Sequence, residues 1–89
     1  MRTNKDFILR DIAGEKILIA TGEASQHFNG MITLNDVAAF IWETIDDCES
    51  EDALVDKILD EFNIDRETAI EDSRDFIGQL LRCGMLLID

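Results

Sequence analysis

The spacing of apolar residues changes once along this chain. Phe7-Ile8-Leu9-Arg10-Asp11-Ile12 and Lys16-Ile17-Leu18-Ile19-Ala20-Thr21 are short β-rich runs separated by Ala13-Gly14-Glu15, which predicts a hairpin. A polar, glycine-bounded connection, Gly22 to Gly30, leads to a third short run, Met31-Ile32-Thr33-Leu34. From Asp36 the period becomes helical. Val37, Ala38, Ile41 and Ile45 mark an inner stripe, widened by Phe40 and Trp42, as far as Asp46-Asp47. Strand and helix meet without a linker at Asn35, a residue suited to cap the first-turn amides, and Asp36 follows at the positive end of the helix dipole.

Two further helices are predicted. One starts at Ser50, carries Glu51 and Asp52 in its first turn, and buries Leu54, Val55, Ile58, Leu59 and Phe62. The other starts at Asp65 and turns Ala69, Ile70, Ser73, Phe76, Ile77, Leu80 and Leu81 inward. Gly84 ends it where a left-handed residue is wanted. Met85-Leu86-Leu87-Ile88 then reads as an extended tail that either covers the bundle or adds a strand. A three-stranded antiparallel sheet followed by three helices is an α+β order, similar to a winged helix-turn-helix domain but with most strand material in front of the helices.

The chain has 89 residues, enough for one modest core, so residues 1–89 are expected to form a single domain. With 46% apolar residues and no Pro, its composition is globular. Twenty acidic against eight basic side chains give a formal charge of −12, which repels phosphate backbones and anionic lipid and attracts cationic peptides. Neither nucleic acid nor membrane is therefore an expected partner. No signal peptide or membrane-spanning run is present, and a cytoplasmic location is expected. Cys48 and Cys83 stand far apart without CxxC spacing, so two buried or half-buried thiols are expected and neither a metal site nor a disulfide.

Catalytic chemistry finds little support. The single histidine, His27, stands in the polar connection without an orienting partner, and there is no phosphate-cradling glycine loop or HExxH motif. The acidic run Asp46 to Asp52 lacks the alternating oxygens and central glycine of a calcium loop. Asp72-Ser73-Arg74 lies within a helical repeat and lacks the Asp-Ser-Leu of an acyl carrier. No enzyme activity, cofactor or metal is expected. What remains is a strand edge beside a helix, where the backbone of Met31 to Leu34 can accept a guest strand. Asp72, Asp75 and Gln79 lie along one flank of the last helix and are expected either to be merely solvated or to pair with a basic peptide.

The residues Leu34-Asn35-Asp36-Val37-Ala38-Ala39-Phe40-Ile41-Trp42-Glu43, then Ile58-Leu59-Asp60-Glu61-Phe62, then Asp72, Phe76, Leu80 and Gly84-Met85-Leu86, resemble the PqqD family. Against the commoner pattern of that family, the first loop has no Pro and the interhelical turn is shorter and more acidic. The resemblance implies a non-catalytic leader-peptide recognition domain of pyrroloquinoline quinone and related ribosomal-peptide pathways. Such a domain binds a precursor leader as an added strand beside the third strand and against the third helix. It presents the precursor to a modifying enzyme, a radical S-adenosylmethionine enzyme or a leader peptidase. On this chain the binding residues would be Gly30, Met31, Ile32, Thr33, Leu34, Asp72, Asp75, Phe76 and Gln79. The residues alone leave open a winged-helix transcriptional module, which the charge disfavours, and a dimerisation module in which the same unpaired edge meets its own copy.

Overall fold

The computed structural model describes residues 1–26 and 31–88. His27 and Gly30 lie outside the described residues. The strands are β1 (Arg2–Thr3), β2 (Phe7–Ile12), β3 (Glu15–Ala20), β4 (Met31–Leu34) and β5 (Leu86–Leu87); the helices are α1 (Asp36–Thr44), α2 (Glu51–Glu61) and α3 (Arg66–Arg82). Short 3-10 turns cover Gly22–Gln26 and Ile45–Asp47. β2, β3 and β4 form an antiparallel sheet in that order, and the three helices follow it. The predicted α+β order is what the chain adopts.

Each helix begins as its capping residue dictates. Asn35 Oδ1 accepts from the Ala38 amide at 2.8 Å, Ser50 Oγ from Ala53 at 3.1 Å, and Asp65 Oδ1 from Thr68 at 2.8 Å. The hydrogen bonds from Thr68 hold the Asp65 carboxyl below its usual range. At the other end of α3, Gly84 takes φ +74°, the Gly84 amide donates to the Leu81 carbonyl at 3.3 Å, and the Met85 amide donates to Leu80 at 2.9 Å. This is a Schellman turn, closed by the two buried side chains Leu80 and Met85.

That turn aims the tail at the N-terminus. β5 pairs antiparallel with β1, Arg2 opposite Leu87 and Thr3 opposite Leu86. Asn4 reinforces the join, its amide donating to the Met85 carbonyl at 2.8 Å and its Nδ2 to the Gly84 carbonyl at 2.9 Å. The tail does add a strand, as one of the two expectations had it, but to a partner strand at Arg2–Thr3 that the sequence reading did not include. Two-residue strands carry no periodic signal.

Asp46, just past α1, ties β1 down. Its carboxylate accepts from the Thr3 amide at 2.7 Å, Thr3 Oγ1 at 2.6 Å and Lys5 Nζ at 2.7 Å. Burial alone would raise this carboxyl, but the hydrogen bonds from Lys5 and Thr3 outweigh it and pull the pKa down from 3.8 to about 2. Phe7, Leu18, Leu34, Ile41, Trp42, Ile45, Leu54, Val55, Ile58, Ile77, Leu80 and Leu86 form the core between sheet and helices. Phe40 and Phe62 meet edge to face at 5.4 Å, holding α1 against the end of α2.

Two expectations need correction. The hairpin turn is the two-residue Ala13-Gly14, with φ of +54° and +83°, so Glu15 belongs to β3 rather than to the turn. Cys83 is exposed rather than buried, because at the end of α3 it continues the polar flank one turn beyond Gln79; Cys48 is half-buried, and both thiols are free.

Two outcomes follow. Ala13 holds a left-handed conformation that costs a side chain about 1 kcal/mol, so Ala13→Gly is expected to raise unfolding free energy by about 0.5 kcal/mol, measured by urea titration. The depressed Asp46 carboxyl contributes stability that is complete above pH 3.8 and is lost as pH falls toward about 2. Asp46→Asn should flatten that acid limb and speed hydrogen exchange at the Thr3 amide.

Candidate functional site

β4 is an edge. It pairs with β3 alone, Lys16 opposite Leu34, Ile17 opposite Thr33, Leu18 opposite Ile32 and Ile19 opposite Met31. No strand among the described residues takes its other side, because β5 is engaged with β1. The opposite edge, β2, carries Arg10 and Asp11, the kind of charged side chains that blunt an edge against strand addition. β4 is Met-Ile-Thr-Leu, with no charge and no Pro. Of the two edges of this sheet, β4 is the one chemically open to another strand.

Period two divides β4 between two faces. Leu34 is buried and Ile32 half-buried toward the helices, while Met31 and Thr33 are exposed on the far face. The backbone is therefore held in register by its inward side chains, and its outer row of amides and carbonyls is left for another partner.

Where β4 runs into α1, a cleft of about 230 Å³ opens between α1 and α3, lined by Asn35, Val37, Ala38, Ile41, Asp72, Asp75, Phe76 and Gln79. All four helical residues expected at the site are here: Asp72, Asp75, Phe76 and Gln79 share one flank of α3 by their three- and four-residue spacing. Met31 to Leu34 do not line this hollow; they lead into it through Asn35. Gly30 lies outside the described residues. The sequence reading missed the floor and the α1 wall. Val37, Ala38 and Ile41 read as an ordinary inner stripe, and the one local signal is the small side chain of Ala38, which fills less of the cleft than a larger residue would.

The cleft is apolar below and acidic at the rim. Val37, Ala38 and Phe76 are half-buried, whereas Asp72, Asp75 and Gln79 are exposed. Asp72 and Asp75 form no ion pair with any described residue, and the nearest arginines of α3 are committed elsewhere, Arg74 to Glu51 at 3.1 Å and Arg66 to Asp56 at 2.6 Å. Among the described residues no cluster of histidine, cysteine or carboxylate side chains could hold a metal ion. No helix among them is long and apolar enough to cross a membrane.

The family model for coenzyme PQQ synthesis protein D (PqqD) matches residues 10–86, from the middle of β2 into β5, and so includes β4, α1 and α3. The chain belongs to the PqqD family. No curated protein matches this PqqD-family chain in sequence. Among solved structures, TbiB1 in complex with the TbiA(beta) leader peptide is similar in fold, with a TM-score of 0.74 and 24% identity over 100% of both chains.

The cap that joins strand to helix is also the lip of the cleft. Asn35→Ala should cost about 1 kcal/mol of stability, read as a lowered urea midpoint, and leave the circular dichroism spectrum unchanged.

Proposed function

We propose that this PqqD-family chain is a non-catalytic recognition domain for the leader of a ribosomally made precursor peptide. The leader adds as a strand to the free edge of β4 and sets apolar side chains into the α1–α3 cleft. The observation that carries this reading is the adjacency of the two features: an uncharged strand edge that pairs with no second strand among the described residues runs directly into a cleft with an apolar floor. The fold it shares with TbiB1, a protein solved with a leader peptide bound, supports it.

The division of labour follows from the chemistry. Met31, Ile32, Thr33 and Leu34 bind through their backbone, with Gly30 at the head of the strand; Phe76, Val37 and Ala38 receive the anchors; Asp72, Asp75 and Gln79 read the rim. About four or five net hydrogen bonds at roughly 1 kcal/mol each, with two buried anchors at roughly 2 kcal/mol each, are the favourable terms set against the cost of ordering and immobilising the leader, and terms of this size give a reversible complex rather than a permanent one. Such a complex holds a precursor and releases it. The acidic rim favours a leader with Lys or Arg beside its anchors, with an association rate that falls as salt rises. The bound precursor is presented in the cytoplasm to a modifying enzyme, a radical S-adenosylmethionine enzyme or a leader peptidase.

Titration of the isotopically labelled chain with the leader of the precursor encoded beside its gene should shift the amides of Met31 to Leu34 and of α3. Phe76→Ala, and Asp72→Lys with Asp75→Lys, should each weaken binding about tenfold or more with the fold retained by circular dichroism. Amide signals of β4 that stay in place at saturating leader would overturn the proposal.

A further inference from the structure

The row of backbone groups that β4 offers to a guest strand stops at Leu34. At Asn35 the chain turns into α1, and the Asn35 carbonyl is already taken by the Ala39 amide at 2.9 Å, the first bond of the helix. A leader that follows β4 to its end and turns toward the apolar floor leaves the ladder here with its own peptide groups still to be satisfied. A carbonyl carried into the cleft without a donor opposes binding.

Side-chain donors are scarce at this point. Of the side chains that line the cleft, Asp72 and Asp75 as carboxylates only accept, the apolar ones do neither, and donors are carried by Asn35 and Gln79 alone. The two differ in how firmly they are held. The Gln79 carboxamide is exposed and makes no hydrogen bond to a described residue, so its arm turns freely. Asn35 is pinned: its Oδ1 accepts from the Ala38 amide at 2.8 Å, and only the oxygen of a carboxamide can accept. Oxygen and nitrogen lie on opposite sides of that planar group, so the same bond turns Nδ2 away from the first turn of α1. Nδ2 has no partner among the described residues, and Asn35 is exposed at the lip of the cleft.

We infer that Asn35 is a positioning residue for the leader: its oxygen caps α1, and its Nδ2 donates to a main-chain carbonyl of the leader where the leader leaves β4 for the cleft. The inference rests on the leader-binding reading and deepens it by naming the group that takes over where the strand ladder ends. The cap has already fixed the side chain, so the contact loses no rotamer freedom on binding, which a bond from Gln79 would. A leader carboxylate is the poorer acceptor, because Asp72 and Asp75 on the same cleft repel it. Every peptide has main-chain carbonyls, so this bond sets the point at which the leader turns, and the floor and rim select the side chains around it.

Capping and donation can be separated, because Asp and Ser cap a helix about as well as Asn and neither carries the Nδ2 donor. Asn35→Asp and Asn35→Ser, in the full chain, are expected to keep the wild-type urea midpoint and to lose about fivefold or more in affinity for the leader of the precursor encoded beside the gene. The neutral Ser variant separates loss of the donor from the charge that Asp adds. In the wild-type chain, a side-chain amide proton of Asn35 should move downfield and exchange more slowly at saturating leader. With leader labelled at its carbonyl carbons, one main-chain resonance should differ between the wild-type and Asn35→Ser complexes. Leader binding as tight as wild type in both variants, or an Asn35 side-chain signal that stays in place while the β4 amides shift, would overturn the inference and leave the leader reading standing. So would a difference confined to a leader side-chain carboxyl. A wild-type chain that binds no leader would remove both.

Discussion

The pairing of the two chain ends with each other is the constraint on which the site depends. β5 is short, apolar and just past the last helix, and in a sheet with two edges it had a free strand available to it. The Schellman turn at Gly84 directs it instead to Arg2–Thr3, and Asp46 with Asn4 fixes that meeting by hydrogen bonds to backbone as well as side chains. β5 is thereby paired away from β4, and no described strand takes the outer edge of β4. A backbone row left open in this way is ordinarily a liability. Here it borders a cleft of matching chemistry.

Charge is distributed in the same sense. The acidic side chains are concentrated on the helices, where Asp72 and Asp75 rim the cleft without an ion-pair partner among the described residues while Arg66 and Arg74 are drawn into ion pairs on other faces. These exposed pairs add little to stability, and their main effect is to leave the cleft rim anionic.

Much of this was legible before any coordinates. The helix starts at Asn35, Ser50 and Asp65 and the stop at Gly84 could be read from the chain because capping acts between residues three or four apart. The alternation in Met31 to Leu34 and the flank Asp72, Asp75, Phe76, Gln79 were equally plain, since periodicity is a local property. Less plain was the wall opposite that flank. Val37, Ala38 and Ile41 look like any buried stripe until α1 is set against α3, and Cys83 looks like a buried thiol until the end of its helix is seen to face solvent.

What the sequence by itself determined is therefore the set of elements, their order and the side chains each presents, because these depend on hydrogen bonds and spacing within a few residues. Only the tertiary structure decided which edge stays open and what lines the cleft beside it. Those outcomes turn on contacts between distant segments, above all β1 with β5 and α1 with α3. No local pattern records such contacts, because they exist only once separate surfaces have been buried against one another.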